Sequence, residues 1–336
     1  MSPWSAARAA LRVYAAGAAV ILAQLLRRLL GGFAEPVCAR QPGRVAIVTG
    51  GTEGIGLATC RRLALLGMRV IIAGNDVTKG HQAERSLRAE TGNPEVEFSY
   101  CDLASMRSIR EFVLKFKERN LPVHVLVNNA GVMMVPERQE TADGFEQHFG
   151  VNYLGHFLLT LLLLDTLERS GRPGAHARVV SVSSATHYVG ELALDDLQSR
   201  NGYSPHAAYA QSKLALVLFT YHLQALLDAR GSPVSALVAD PGVVDTALYR
   251  HVFWGTRLVQ KLLGRWLFKT PDEGARTSVF AALAPELEGA GGRYLYGVRE
   301  ARSLALTYDR QLQRALWAQS CRLARVRDPA TDSIPE

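Results

Sequence analysis

Apolar residues in this chain form two kinds of run. Short, nearly unbroken runs rich in β-branched residues read as buried strands: VAIVTG (45–50), MRVIIAG (68–74), VEFSYCDL (96–103), HVLVNNAG (124–131), ARVVSVSS (177–184) and VSALVADPG (234–242). Longer runs of helical period lie between them. GIGLATCRRLALLG (54–67) ends at Gly67, a polar helix runs to about Thr91, and SIREFVLKFKER follows. Long apolar helical stretches precede the strands at 177 and 234, and GRYLYG (292–297) reads as a strand closing an edge. Strands alternating with helices predict an α/β fold with one doubly wound parallel sheet covered on both faces.

The first apolar segment fits no part of that alternation. VYAAGAAVILAQLL (13–26) carries no charge, with Arg12 before it and Arg27-Arg28 after it. Its fourteen residues rise about 21 Å as a helix, short of a ~30 Å hydrocarbon core. A cleaved signal would need small residues where Arg27-Arg28-Leu-Leu stands. The pattern favours a retained membrane-associating segment, shallow or spanning with snorkelling arginines, over an extra helix packed on the body. Arginines on both flanks leave its orientation open.

Composition narrows the partners. With 336 residues, 48% of them apolar and 21% charged, the chain suits one large catalytic domain over 44–336 preceded by a segment and linker over 1–43. The net charge of +7 is unevenly placed. Residues 1–44 hold six arginines against Glu35 alone, and 250–269 hold Arg250, Arg257, Lys261, Arg265 and Lys269 with no acid. The rest is slightly acidic, so the pattern points to an anionic membrane surface via residues 1–30 and not to nucleic acid. The four cysteines show no CxxC spacing, and no N-x-S/T sequon occurs; both favour a reducing, cytosol-facing body. His187 and His206 lack a third ligand, so no metal site is expected.

Two constellations carry chemistry. TGGTEGIG puts Gly50, Gly54 and Gly56, with Ile55, between a strand and a helix, where backbone can approach a pyrophosphate and helix N–H groups can face it. In HAAYAQSKLALVLF, Tyr209 and Lys213 stand four apart on one helix face. An adjacent ammonium stabilises phenolate, so Tyr209 could move a proton to or from a carbonyl or alcohol oxygen. Ser184, at a strand end, could hydrogen-bond the same oxygen.

TGGTEGIG, Cys101-Asp102-Leu103, NNAG, Ser184, YAQSK and ADPG occur in the order of the short-chain dehydrogenase/reductase family, which the chain resembles from residue 44 to about 300. The resemblance implies a Rossmann-type sheet with a dinucleotide-binding half (44–131) and a catalytic, substrate-binding half (132–300). It implies that Tyr209 is the acid/base, that Lys213 holds the nicotinamide ribose and lowers the tyrosine pKa, and that Ser184 orients the substrate oxygen. Asn152, in GVNYLGHF, would anchor a water relay behind Lys213. Asp102 and Leu103 match the adenine-contacting pair, and Asn129, Ala130 and Gly131 the NNAG segment on the cofactor. Pro241, Gly242 and then Thr246 match the stretch that binds the nicotinamide carboxamide.

The 24 residues between Ser184 and Tyr209 resemble the retinol-dehydrogenase branch, which acts on lipophilic alcohols and aldehydes at membranes. HVFWGTRLVQKLLGRWLFK (251–269) spaces Trp254, Leu258, Leu262 and Trp266 by four, with basic residues beside them. It reads as a membrane-surface helix or apolar substrate lid, with a core-packing helix as the plainer alternative. Over the whole chain the resemblance implies oxidation of polyprenol to polyprenal and reduction of dolichal to dolichol, at the endoplasmic reticulum or lipid droplets. A retinoid or steroid substrate, and a nucleotide-binding scaffold without turnover, are the alternatives; a homodimer stays open.

Cofactor choice rests on IIAGND (71–76). Gly74 stands where NAD-preferring relatives have an acid, and Asn75 where NADP-preferring ones have an arginine. Glu53, in the glycine-rich turn, tilts slightly toward NAD. The site is permissive, so use of both NAD and NADP is expected.

Overall fold

The computed structural model describes residues 3–248 and 267–329. Seven apolar runs form parallel strands: β1 (Val45–Thr49), β2 (Arg69–Gly74), β3 (Val96–Tyr100), β4 (Val125–Asn128), β5 (Ala177–Val182), β6 (Val234–Asp240) and β7 (Arg293–Tyr296). Their order is β3-β2-β1-β4-β5-β6-β7, followed by a two-residue strand, β8 (Glu300–Ala301), antiparallel to β7. The run at 292–297 therefore does not close the edge. Gly297 and Val298, both at positive φ, fold the chain back and put β8 outside it.

β1, β4, β5 and β6 are buried along their whole length because helices cover both faces. One face packs α4 (Met106–Glu118), α5 (Gly155–Ser170), α6 (Pro205–Ala229) and α8 (Arg310–Ala324) around Phe112, Phe157, Phe219 and Trp317. The other packs α2 (Gly54–Leu65), α3 (Val77–Thr91) and α7 (Pro271–Leu283) around Leu63, Leu87 and Phe280. Local chemistry fixes the helix starts. Asp76 accepts from Lys79 N, Ser105 from Ser108 N and Ser204 from Ala207 N, while Thr270 and Glu273 close a capping box. α6 is apolar on nearly every side because it lies in the core, and Tyr209 and Lys213 stand on it.

Four strands stop two or three residues before the sequence pattern does, at Tyr100, Asn128, Val182 and Asp240. The residues beyond them leave the sheet at its carboxyl edge, where the strand order reverses between the paired strands β1 and β4. A doubly wound sheet opens its binding crevice there.

α1 (Pro3–Leu29) is longer than the uncharged run that announced it. It packs on the body, as the plainer reading of that run had it, yet keeps an apolar outer face: only 11% of its most apolar window is buried. Val13 is buried against Met133, Met134, Tyr209 and Ala210, and Gln24 is 2% exposed. Leu11, Leu22, Leu26 and Leu29 face outward. Most of the basic segment 251–269 lies outside the described residues. Its last two, Phe268 and Lys269, are buried, and Lys269 bridges to Val244.

Candidate active site

The glycine-rich turn is packed too tightly for side chains. Gly50 and Gly54 have φ of 63° and 57°, in the left-handed region glycine favours. A Cβ on Gly56 would fall 2.1 Å from the Gly50 carbonyl oxygen. Asn129, just past β4, clamps the turn, its Nδ2 donating to Thr49 O at 2.8 Å and Gly50 O at 3.3 Å. Glu53 precedes α2 but its side chain does not cap the helix, and no acid stands in the first turn. The helix opens toward the cleft with its N–H groups unopposed by a carboxylate, which fits a pyrophosphate.

Farther along, Asp102 Oδ1 accepts from Ala104 N at 3.0 Å and from Asn75 Nδ2 at 3.2 Å. Gly74 leaves room beside Thr52, whose Cγ2 would lie 3.3 Å from a Cβ there. Lys79, absent from the sequence-based site, reaches Glu53 Oε2 at 2.9 Å. Its position four residues after Asn75, in the first turn of a helix, was the available signal. The residues present fit a nicotinamide dinucleotide along this edge.

At the other end, Tyr209 and Lys213 stand one turn apart on α6, and Lys213 Nζ lies 5.9 Å from the Tyr209 ring centre. The ammonium donates to Val182 O at 2.9 Å. Ser184 accepts from Thr186 N at 3.3 Å, and its carbonyl accepts from His187 Nδ1 at 2.8 Å, which fixes the strand end. Asn152 lies in a π-helical turn (Phe149–Leu154) rather than in regular helix. Its Oδ1 accepts from Val132 N at 2.8 Å, and its Nδ2 donates to Val132 O and Ser212 Oγ, both at 3.0 Å.

His156, also missed from the sequence, donates from Nδ1 to the Asn152 carbonyl at 2.8 Å and meets the Thr49 hydroxyl through Nε2 at 2.8 Å. Burial lowers its pKa to about 4, so the ring is neutral. It ties the asparagine turn to the strand that opens the cofactor turn.

Burial governs the two titrating groups. Desolvation pushes the Tyr209 phenol up, with the Ser184 hydroxyl opposing. It pushes the Lys213 ammonium down to about 8, with Asp240 opposing. The lowered tyrosine pKa expected from the Tyr/Lys spacing is therefore not found in the chain alone. The lysine spends its hydrogen bond on Val182, and the loss of water outweighs the nearby charge.

Every predicted site residue except Asn152 lines one cleft of about 500 Å³, and Asn152 supports it from behind Gly131. α1 lines the same cleft with Val13, Gly17 and Ile21. No residue of that helix is among the site residues expected from the sequence.

A glycine-lined crevice at the switch point of a doubly wound sheet, ending at a tyrosine–lysine–serine cluster, defines a nicotinamide-dependent oxidoreductase. The chain belongs to the short-chain dehydrogenase family, whose description matches residues 44–254; these are NAD(P)-dependent oxidoreductases of CH–OH groups. It is 68% identical to the polyprenol dehydrogenase of Homo sapiens over 98% of this chain and 99% of that protein. It is 43% identical to human retinol dehydrogenase 13, with 95% of each chain covered. Among solved structures, an uncharacterised protein from Mycobacterium paratuberculosis superposes with a TM-score of 0.71 at 36% identity, over 87% of this chain and 97% of that one.

Proposed function

We propose that this protein interconverts a long-chain isoprenoid alcohol and its aldehyde at a membrane surface, taking polyprenol to polyprenal with NAD and dolichal to dolichol with NADPH. The observation that carries the reading is the setting of Tyr209. It is 4% exposed and packs among Val13, Met133, Met134 and Ala210, an apolar surround suited to a lipid carbonyl. The name of the 68% identical relative supports the same substrate class, and the outward leucines of α1 suit a lipid surface.

The roles are those that the family resemblance implies, and the shared cleft supports them. Gly50, Gly54, Ile55 and Gly56 would hold the pyrophosphate, Gly74, Asn75, Asp102 and Leu103 the adenosine, and Asn129, Ala130 and Gly131 the central part. Pro241, Gly242 and Thr246 would meet the nicotinamide, which when bound supplies or takes the hydride. Tyr209 passes its proton to the carbonyl oxygen in reduction and receives it from the alcohol in oxidation. Ser184 hydrogen-bonds that oxygen, Lys213 holds the ribose, and Asn152 keeps the relay behind it in register.

Kinetics with polyprenal, dolichal, retinal and a ketosteroid, each with NADH and NADPH, test the substrate. The isoprenoids should have the highest kcat/KM; retinal or the steroid exceeding them tenfold would replace this reading with the retinoid or steroid one.

Lys79 bears on cofactor choice. Paired with Glu53, it offers a 2′-phosphate less charge than it would alone. Glu53→Gln should raise the NADPH-over-NADH ratio of kcat/KM about two- to fivefold, the scale of an exposed ion pair. The gain should fade at high salt. An unchanged ratio at low salt would remove this pair from cofactor selection.

A further inference from the structure

We propose that α1 is part of the active site: its inner face roofs the substrate cleft, and Gly17 sets the bore along which the lipid chain leaves Tyr209. The proposal rests on the lipophilic substrate class argued above.

Val13, Gly17, Ile21, Gln24 and Arg28 recur at three- and four-residue spacing, which puts them on one face of the helix. That face is fixed at both ends. Arg12 pairs with Glu191 at 2.7 Å, and Tyr14 lies against His206 with ring centres 5.3 Å apart. Arg28 donates to Phe268 O at 3.2 Å and to Glu273 at 3.1 Å.

Gln24 makes the tightest attachment. Its Oε1 accepts from Val243 N at 2.8 Å, and its Nε2 donates to Val243 O at 3.1 Å. The carboxamide thus pairs with the backbone as a neighbouring strand would. Val243 follows Pro241-Gly242 directly. Gly242 has φ of +80°, and a Cβ there would fall 2.3 Å from Gln24 Oε1, so this approach needs glycine. A surface anchor has no use for a glutamine 2% exposed on the loop beside the nicotinamide end.

Between these fixed points the described residues leave the face open. A Cβ on Gly17 would meet no atom of the described residues within 4 Å, although Gly17 lines the cleft between Val13 and Ile21. The cleft it lines also holds the buried Tyr209, and the other face of the helix exposes Leu11, Leu22 and Leu26. From Arg12 to Arg28 the attached length is about 24 Å at 1.5 Å per residue. A helix held lengthwise against the catalytic body over that distance lies in the plane of the surface. One face then meets lipid while the other covers the cleft.

The test compares Gly17→Leu with Ala15→Leu, the latter on the exposed side of the same helix. Leucine favours helix over glycine and ranks just below alanine, so neither change threatens α1. With the full chain in mixed micelles, kcat/KM is measured for polyprenal and for a ten-carbon terpenoid aldehyde. Gly17→Leu should lower the long-over-short ratio at least tenfold, and Ala15→Leu should leave it within twofold. A ratio within twofold for Gly17→Leu, or an equal fall for Ala15→Leu, overturns the roof. If the unaltered protein turns over retinal but not polyprenal, the isoprenoid reading fails by itself. The roof is then decided by the same ratio taken between retinal and the short aldehyde.

Discussion

Tyr209→Phe is expected to lower kcat/KM by about three to four orders of magnitude, the upper range for loss of a general acid and about 4–5 kcal/mol of transition-state stabilisation. The change removes one hydroxyl from a ring packed among Val13, Met133, Met134 and Ala210 and keeps the packing. Binding of NADH and NADPH, measured by fluorescence titration, should stay within about threefold. The pH dependence separates a proton-transfer role from a packing role. Burial holds the phenol above its ordinary value of 10, so the neutral acid is present throughout the physiological range. Aldehyde reduction by the unaltered enzyme has its proton donor ready at pH 7. Alcohol oxidation needs the deprotonated form and should speed up as pH rises from 6 to 9. The residual oxidation by Tyr209→Phe should lose that rise. Turnover within tenfold of the unaltered enzyme would sink the proton-transfer role, and with it the reading of this chain as a catalyst centred on Tyr209.

The sheet and cofactor edge were legible because backbone requirements dictate them. A turn that admits no Cβ at Gly56 and needs positive φ at Gly50 and Gly54 writes itself as glycines between a strand and a helix. The Tyr209–Lys213 pair was legible because helical spacing alone puts both on one face. Strand ends were not, since Asp102, Asn129, Ser184 and Pro241 continue apolar runs while their backbone has already left the sheet. His156 escaped notice because its task is to join the neighbouring Asn152 to Thr49, which lies 107 residues before His156 in the chain. The Gln24–Val243 contact spans 219 residues and joins a segment whose composition reads as lipid-facing to the cofactor loop. No periodicity reports such a pairing, and the apolar outer face of α1 dominated the local signal.

Lys213 should carry opposite effects on activity and stability. Its folded pKa of about 8 lies below the value of 10.5 it has when exposed. Between those values the unfolded chain binds more protons than the folded one, so this group makes stability rise with pH from about 8 to 10.5. Below pH 8 the cost of the buried ammonium is fully present. A shift of this size sets an upper bound of about 3 kcal/mol, at 1.36 kcal/mol per pKa unit. Lys213→Met keeps most of the side-chain volume and removes the charge. The cofactor-free variant should therefore gain about 1–3 kcal/mol at pH 7, seen as a Tm a few degrees higher, and the gain should shrink by pH 10. Turnover should nevertheless fall at least a hundredfold, because the ammonium that would hold the ribose and stabilise phenolate is gone. Saturating NAD(P) should reverse the order of Tm values, since a ligand stabilises the form that binds it more tightly. Thermal unfolding at pH 7 and pH 10, with and without cofactor, measures all of this. A cofactor-free variant that melts below the unaltered protein at pH 7 would mean that the Val182 carbonyl and Asp240 more than offset the burial of the ammonium. The lysine would then be a structural pillar of the fold rather than a charge held ready for its cofactor.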